Sequence, residues 1–248
     1  MKHKIGMGLS LYSFTNEFIQ KRLTLEEMLV ITKKLGYQGI ELIPAQMAPS
    51  YPDIKEQWLK ELKQMLKRYD LIPFCWNAFL DLGAKQDSQS DEDEMISCVL
   101  RNLIHAKKSG FSLIKIQSLL PVETLHKLLP LCKDLDMKLG IEYATQEDNT
   151  NHIWKEYFAL MRGEGKGYLG LIPKLPAISK DQLDITFHIQ GCFFESNIPY
   201  EKLLLLLTQV NYKGSIAAVY EGHQFTDYFL AQEELKQYKK VLDSILAT

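Results

Sequence analysis

The fold of this chain is constrained most by a regular alternation of short β-branched or aromatic runs with longer segments of helical period. Such alternation is typical of βα units arranged around a parallel sheet. It predicts eight strands, at residues 6–13, 39–43, 72–77, 113–117, 138–143, 168–172, 185–190 and 215–220. The alternation of predicted strands and helices therefore favours an α/β fold.

The segments between the predicted strands carry helix signals. Thr24 and Glu27 have the spacing of a capping box, and Gly36 provides the left-handed residue that ends a helix. Other helices are predicted at residues 53–69, 90–110, 122–135, 152–161, 200–210 and 231–246. Eight βα units in 248 residues predict one (β/α)8 TIM barrel domain spanning residues 1–248, with its ligand site at the carboxyl ends of the strands.

One βα unit is shorter than the others. Only residues 173–184, which include Pro173 and Pro176, separate the sixth predicted strand from the seventh. A parallel crossover usually needs about a dozen residues or more. We therefore expect a shortened sixth crossover, with one helical turn or a loop in place of a full helix.

Composition narrows the function classes. The net charge of −2, from 29 basic and 31 acidic residues, gives no electrostatic footprint for nucleic acid or anionic lipid. No run of about 18 apolar residues is present to predict a membrane span.

The four cysteines form no CxxC pair and are interpreted as free thiols in a reducing compartment. The first nine residues lack the features of a signal peptide, so a cytoplasmic location is expected.

Polar and aromatic side chains accumulate at the carboxyl ends of the predicted strands, where a TIM barrel places its active site. Charged groups mixed with aromatic faces are suited to hydroxyl-rich ligands such as sugars. The candidates, in chain order, are Tyr12, Glu41, Trp76, Asn77, Lys115, Glu142, Lys174, His188, Gln190, Glu221 and His223.

Several of these residues also have a structural interpretation. Glu41 and Glu142 follow apolar strand residues and could form ion pairs at the rim. His188 could be a hydrogen-bonded structural histidine, and Trp76 could be a packing residue rather than a sugar platform. Lys115 lies in an apolar strand, so the sequence does not fix the face to which its side chain points.

Five segments together resemble the xylose isomerase-like TIM barrels. They are GLSLYSF from Gly8, GIEL from Gly39, LGIE from Leu139, LGLIP from Leu169 and VYEGH from Val219. That superfamily contains sugar phosphate isomerases and epimerases, inosose-handling enzymes and type 2 apurinic endonucleases. The resemblance covers the whole chain and is nearest to the branch with sugar isomerases and the catalytic subunits of C-glycoside deglycosidases.

The resemblance also implies a metal site, which this sequence alters. The family holds manganese, magnesium or zinc with a glutamate, an aspartate, a histidine and a glutamate on strands five to eight. Glu142 matches the first ligand, whereas Lys174, Gln190 and Val219 stand at the other three positions. A divalent ion needs several anionic or imidazole ligands, so we expect no metal cofactor, and a remnant site formed by Glu142, His188 and Glu221 is the alternative left open. An ion pair between Lys174 and Glu142, within about 4 Å, is expected instead.

Two functions follow from the resemblance and from these substitutions. The first is a carbohydrate or polyol isomerase or epimerase that acts without metal, with Glu41 or Glu142 as general base and Lys174 as electrophile. The second is a catalytically silent protein that binds a sugar or serves as a partner subunit. The expected partner is a small carbohydrate or polyol, with no nucleic acid or membrane, and a homo-oligomer or partner subunit is left open.

The endonuclease branch is disfavoured by the residues themselves. Those enzymes need a multi-metal site rich in histidines and a basic groove, and this chain has neither feature. No glycine-rich phosphate loop gives specific support to a phosphorylated sugar.

Overall fold

The structure is a computed structural model that describes residues 5–80, 89–117, 119–143, 152–191, 199–220 and 227–246. Eight strands lie within these ranges. They are β1 (Gly6–Ser10), β2 (Gly39–Leu42), β3 (Ile72–Ala78), β4 (Leu113–Ile116), β5 (Lys138–Tyr143), β6 (Leu169–Pro173), β7 (His188–Gly191) and β8 (Ser215–Ala218).

The strands form one parallel sheet in the order β6-β5-β4-β3-β2-β1-β8-β7. The first strand, β1, pairs with the last, β8, so the sheet curves back on itself. The circle is completed between β6 and β7 by two isolated bridges, Leu171 to Thr186 and Lys174 to Gln190. The predicted TIM barrel is therefore confirmed, with a seam at which two bridges replace a full ladder.

Helices connect successive strands and cover the outside of the barrel. They are α1 (Thr15–Ile19), α2 (Leu25–Lys34), α3 (Pro44–Met47), α4 (Glu56–Arg68), α5 (Gln89–Lys108), α6 (Val122–Asp134), α7 (His152–Arg162), α8 (Tyr200–Gln209) and α9 (Asp227–Leu246). None of the described helices is both long enough and apolar enough to cross a bilayer.

The sixth crossover is short, as the sequence predicts. Two 3-10 helices, Leu175–Ala177 and Lys180–Ile185, connect β6 to β7 where the other parallel crossovers use an α-helix. Arg162 at the end of α7 holds this segment by two bonds to the Asp184 carboxylate, of 3.0 and 3.2 Å. The thin wall of the barrel therefore lies beside its seam.

Helix α2 shows how local sequence positions an element. The Thr24 hydroxyl accepts a hydrogen bond from the Glu27 backbone N–H at 3.3 Å. In return, Glu27 Oε2 accepts one from the Thr24 backbone N–H at 2.8 Å, which completes the predicted capping box. Met28 and Leu29 on the inner face are fully buried, so the cap fixes the start of a helix whose apolar side covers the sheet.

The amino-terminal half of the barrel interior is filled by Phe74. A Cβ atom added to Gly6, Gly8 or Gly39 would come within 2.6 to 2.7 Å of this ring. The register between β2 and β3 shifts at the same place, because Ile40 pairs with Pro73 whereas Glu41 pairs with Cys75. Phe74 is therefore the extra residue of a bulge, and three glycines provide the room for its ring.

Candidate functional site

The barrel interior above Phe74 is lined by polar side chains from five strands. Glu41 lies on β2, Asn77 on β3, Lys115 on β4 and Glu142 on β5. His188 and Gln190 lie two residues apart on β7 and therefore point to the same side of the sheet. Most of these side chains are buried, and Glu41 and His188 have no solvent exposure.

Lys115 is the centre of this group. Its Nζ atom donates hydrogen bonds to Glu142 Oε2 at 2.7 Å and to Gln190 Oε1 at 2.6 Å, and lies 3.8 Å from Glu41 Oε1. Strands β4 and β7 are not neighbours in the sheet, so the bond to Gln190 crosses the inside of the barrel. One ammonium on β4 thus contacts side chains of three other strands, β2, β5 and β7.

The charges of this group stabilise one another. Burial by itself would raise the pKa of Glu41, but the Lys115 ammonium and His188 hold it below its ordinary value of 4.5. Burial likewise opposes the charge of Lys115, yet the carboxylates of Glu41 and Glu142 hold the Lys115 pKa above 10.5. Both groups are therefore ionised at neutral pH, as a buried charge requires when it has a partner.

A second set of contacts continues from Glu41 towards the amino end. Asn77 Nδ2 donates to Glu41 Oε1 at 3.1 Å, and His188 Nε2 lies 3.6 Å from Glu41 Oε2. On its other side, His188 Nδ1 is 2.7 Å from the hydroxyl of Ser215. His188 therefore lies between a carboxylate and a hydroxyl, and its hydrogen bond is to the hydroxyl.

Lys174 lies at the mouth of the barrel, directly after β6. Its backbone pairs with Gln190 across the seam, and its side chain is 38% exposed. Lys174 Nζ is 3.6 Å from Glu142 Oε1, in agreement with the expected ion pair. The sequence did not predict that Lys115 would approach the same carboxylate more closely.

Trp76 and Tyr12, two residues predicted to contact a sugar, make no described contact with the polar group around Lys115. Trp76 is fully buried and points outward, where its Nε1 donates to Asn102 Oδ1 on α5 at 3.0 Å and its ring meets Phe111 edge-on. The interpretation of Trp76 as a sugar platform is therefore corrected to a packing role, because a ligand in the barrel cannot reach that ring. Tyr12 follows β1 at the carboxyl end and is 38% exposed, but no described contact joins it to the polar group.

The end of β8 is described only in part. Val219 follows the strand and donates its backbone N–H to the Gly191 carbonyl at 3.2 Å. Glu221 and His223 lie outside the described residues, and their roles stay predictions.

Sequence reasoning did not single out Ser215 or Cys75. Ser215 begins β8 and Cys75 follows the bulge of β3, where parity along the strand is interrupted. Burial, with the nearby Glu41 carboxylate, raises the pKa of Cys75 well above its ordinary 9.0, so this thiol stays protonated and inert. Cys75, Cys98 and Cys132 are free thiols in the described part of the chain.

The arrangement leaves a defined set of groups for a ligand. Glu142, 14% exposed, and Lys174 offer an acceptor and a cation near the mouth, while Lys115 and Glu41 lie behind them. Such a set can bind hydroxyl groups by charge-assisted hydrogen bonds. Within the described ranges, no three or more His, Cys, Asp or Glu side chains are grouped so that they could hold a metal ion.

Comparison with known sequences gives related proteins but no matching family model. The chain is 34% identical over 169 residues to a C-glycoside deglycosidase alpha subunit of Arthrobacter globiformis. That alignment covers 66% of this chain and 47% of the relative. The chain spans less than half the length of the curated relatives that it matches.

Comparison with solved structures gives the same architecture. A D-psicose 3-epimerase from Clostridium cellulolyticum H10 superposes with a TM-score of 0.75 at 11% identity, covering 96% of this chain and 99% of that one. A 3-keto-D-glucoside 4-epimerase from E. coli gives a TM-score of 0.72 at 12% identity, with coverage of 96% and 100%. The chain is thus similar over part of its length to a C-glycoside deglycosidase alpha subunit, and its TIM barrel has the same fold as those of sugar epimerases.

Proposed function

We propose that this chain binds a carbohydrate or polyol at the carboxyl end of its barrel and that the cation of its site is a lysine ammonium in place of a divalent metal. The observation that carries the proposal is the position of Lys115 Nζ, between Glu142, Gln190 and Glu41. The names of the related alpha subunit and of the epimerases with this fold support the carbohydrate class.

The side chains that the structure describes at this site do not fit a divalent ion. Of the four positions that the family uses, Lys174 carries a positive charge and Val219 has no donor atom. The oxygens that remain, on Glu142 and Gln190, already accept hydrogen bonds from Lys115. Because a hard divalent ion needs several oxygen or imidazole ligands to replace its water, this set favours the ammonium.

Isomerase or epimerase chemistry without metal assigns a role to each group at the mouth. Glu142 is the general base, because it is partly exposed whereas Glu41 is fully buried behind it. Lys174 stabilises the negative charge that develops on a substrate oxygen when a proton leaves the neighbouring carbon. Lys115 donates a hydrogen bond to Glu142 Oε2, and Glu41 lies on the other side of the Lys115 ammonium, so Lys115 and Glu41 act as positioning residues.

A metal measurement and a ligand screen test this proposal together. Protein purified without chelator should contain substoichiometric manganese, magnesium and zinc, and its melting temperature should not change when EDTA is added. In a thermal-shift screen of aldoses, ketoses, cyclitols and their phosphates, at least one compound should stabilise the chain. That shift should be lost in Glu142→Gln and kept in Glu201→Gln, which changes an exposed glutamate on α8.

Each outcome has a distinct meaning. Stoichiometric metal in the purified protein would overturn the ammonium site. A screen in which no carbohydrate or polyol stabilises the chain would overturn the ligand class. Interconversion of a bound sugar, followed by NMR, identifies an isomerase or epimerase, and its rate should fall in Lys174→Met more than in Lys174→Arg.

A second candidate is a non-catalytic partner subunit. It is favoured by the charge balance of the site, because Glu41 and Glu142 are already neutralised by Lys115 and Lys174. The relative's name, alpha subunit, points to an assembly for that protein. Sugar binding without turnover, together with a mass in solution above that of one chain or co-purification of a second chain, selects this candidate.

A further inference from the structure

A cavity of about 590 Å³ opens at the amino end of the barrel, opposite the polar group around Lys115. It is lined by the first residues of several strands, among them Gly6 of β1, Ile72 of β3, Lys138 of β5 and Ser215 of β8. We call it the amino-end cavity. Its volume lies within the range of about 300–1,000 Å³ that is usual for small-molecule sites.

The amino-end cavity carries an excess of positive charge. Lys33, Lys138 and Lys213 line it, whereas Asp70 is the one carboxylate among its lining residues and is paired with Lys33 at 2.9 Å. Lys138 Nζ lies 5.1 Å from the centre of the Phe187 ring, and Lys213 Nζ contacts Asn211 Oδ1 at 2.7 Å. Neither lysine forms an ion pair with a described residue, so both remain available to an anion.

The same cavity also presents apolar surface. Phe74 and Phe187, although inside the end of the barrel, are only half-buried. Ile72 beside them is 52% exposed. Because covering exposed aromatic surface is favourable by roughly 25 cal/mol per Å², these rings favour a ligand with an apolar body over an inorganic ion.

We propose that the amino-end cavity binds a small organic anion. Its planar apolar body lies against Phe74 and Phe187, and its carboxylate or phosphate group lies between Lys138 and Lys213. The complex is stabilised by charge-assisted hydrogen bonds from the ammonium groups to the anion. It is also stabilised because the aromatic rings lose contact with water. This site is separate from the proposed carbohydrate site and does not depend on it.

A neighbouring cavity of about 410 Å³ extends the same surface. It shares Lys138, Phe187 and Lys213 with the amino-end cavity and adds Lys180 and Asp184. The Asp184 carboxylate is already bonded to Arg162, at 3.0 and 3.2 Å. Lys138 and Lys213 are therefore the lysines that line both cavities, and Lys138 Nζ lies 5.1 Å from the centre of the Phe187 ring, so we place the charged end of the ligand beside these two lysines.

Calorimetric titration of the full chain tests this site. The probes are benzoate and phenyl phosphate, which separate the two anionic groups, with benzyl alcohol as the uncharged probe and inorganic phosphate as the probe without an apolar body. We expect one or both organic anions to bind, and affinity to fall about tenfold or more in Lys138→Met and in Lys213→Met. Binding should weaken as salt is raised, because exposed charges are screened.

Matched variants separate the site from general effects of charge or fold. Lys133→Met removes an exposed lysine of α6 and should leave the affinity unchanged. Phe187→Leu should weaken benzoate without creating affinity for inorganic phosphate. Circular dichroism checks that each variant is folded, and the response of the chain to sugars should be the same in Lys138→Met as in the wild type.

The proposal is overturned by any of three results. The first is that neither organic anion binds. The second is that Lys138→Met and Lys213→Met bind the organic anions as tightly as the wild type does. The third is that inorganic phosphate or benzyl alcohol binds as tightly as the organic anions. A carbohydrate-binding chain with no organic-anion site would refute this inference alone, and the reverse result would refute the proposed function alone.

Discussion

The ammonium of Lys115 connects the electrostatics of the barrel to its stability. It is 3% exposed and makes contacts on β2, β5 and β7, so its removal would leave the fully buried Glu41 carboxylate without its ammonium partner and Glu142 with Lys174 alone. Such an arrangement lowers the stability of the fold, because an unpaired charge in a low-dielectric interior keeps its desolvation penalty and loses the attraction of its partner. The residue is therefore a structural requirement as well as part of the proposed site.

Lys115→Met tests this role. We expect the free energy of unfolding at neutral pH to fall by about 3–5 kcal/mol, the usual effect of breaking a buried ion pair from one side. Adding Glu142→Gln to Lys115→Met should recover part of the loss, since one uncompensated charge is then removed. Urea unfolding measures both values, with Lys133→Met as the surface control, and a loss no larger than that of the control would contradict the prediction.

The pH dependence of stability follows from the directions of the two pKa shifts. Glu41, with a folded pKa below 4.5, stabilises the fold above that pH and loses this contribution as the pH falls through its folded pKa. Lys115, with a folded pKa above 10.5, stabilises the fold below that pH and loses its contribution as the pH rises through its folded pKa. Their joint contribution is thus full between about pH 5 and pH 10.

Unfolding in urea across that range and beyond it checks this expectation. Glu41→Gln should flatten the acid side of the stability curve relative to the wild type. Glu201→Gln, on the surface, should not. An acid side that is unchanged in Glu41→Gln would show that other carboxylates set it.

The Lys115 contacts also show which part of the site could be predicted from the sequence. Glu142, His188 and Gln190 were predicted from their positions at strand ends, because carboxyl ends of parallel strands meet at one rim. The face of Lys115 could not be predicted, since a strand buried on both sides has no alternation of apolar and polar residues to define it. Its pairing with Glu142 and Gln190 depends on register across the barrel, which no local pattern encodes.

At the scale of elements, strand β3 decides which side chains face inward. The bulge at Phe74 places that ring in the barrel and shifts the pairing of β3 with β2. As a result Asn77 reaches Glu41 inside the barrel, while Trp76 packs against Asn102 outside it. The strand is predictable from the sequence, but which of Trp76 and Asn77 faces inward is not, because the bulge depends on packing against Gly6, Gly8 and Gly39.

Substitutions at two of these glycines separate side-chain contacts from backbone contacts. A Cβ at Gly6 would lie 2.7 Å from the tip of Phe74, so Gly6→Ala should cost about 1–3 kcal/mol by overpacking. In a double-mutant cycle, Phe74→Leu should remove part of that cost, because leucine does not extend as far.

Gly39→Ala is the matched control for this cycle. Its Cβ would lie 2.3 Å from the backbone carbonyl of Ile72, which cannot move aside. The loss in the free energy of unfolding should therefore exceed that of Gly6→Ala, and Phe74→Leu should not rescue it. Equal rescue of both alanine variants would contradict the assignment of the two contacts.

At the scale of the whole molecule, the barrel has one weak join. Strand β2 is paired along its length with β1 and β3, whereas β6 and β7 meet at two isolated bridges. The short sixth crossover lies over this seam. The eight-fold architecture was predictable because period and length are local properties of the sequence, but the seam arises from closure of the circle and has no local signal.

Hydrogen exchange followed by mass spectrometry tests the seam. Backbone groups paired on one side open more readily than groups paired on both sides, so peptides covering 185–191 should exchange faster than peptides covering 39–42. The difference should persist in Lys133→Met, which leaves the seam unchanged. Equal protection of the two regions would mean that the seam is as stable as the rest of the barrel.

The central ammonium also fixes the order in which this interior can be redesigned. A carboxylate in place of Lys174 would remove the ammonium that lies 3.6 Å from Glu142 and leave Lys115 as the cation beside that carboxylate, so the first consequence is a greater dependence on Lys115 rather than an opening for a metal ion. Removing Lys115 first would instead leave the buried Glu41 carboxylate without its ammonium partner. We therefore expect that building a metal site in this barrel requires Lys115 and the missing ligands to be exchanged together.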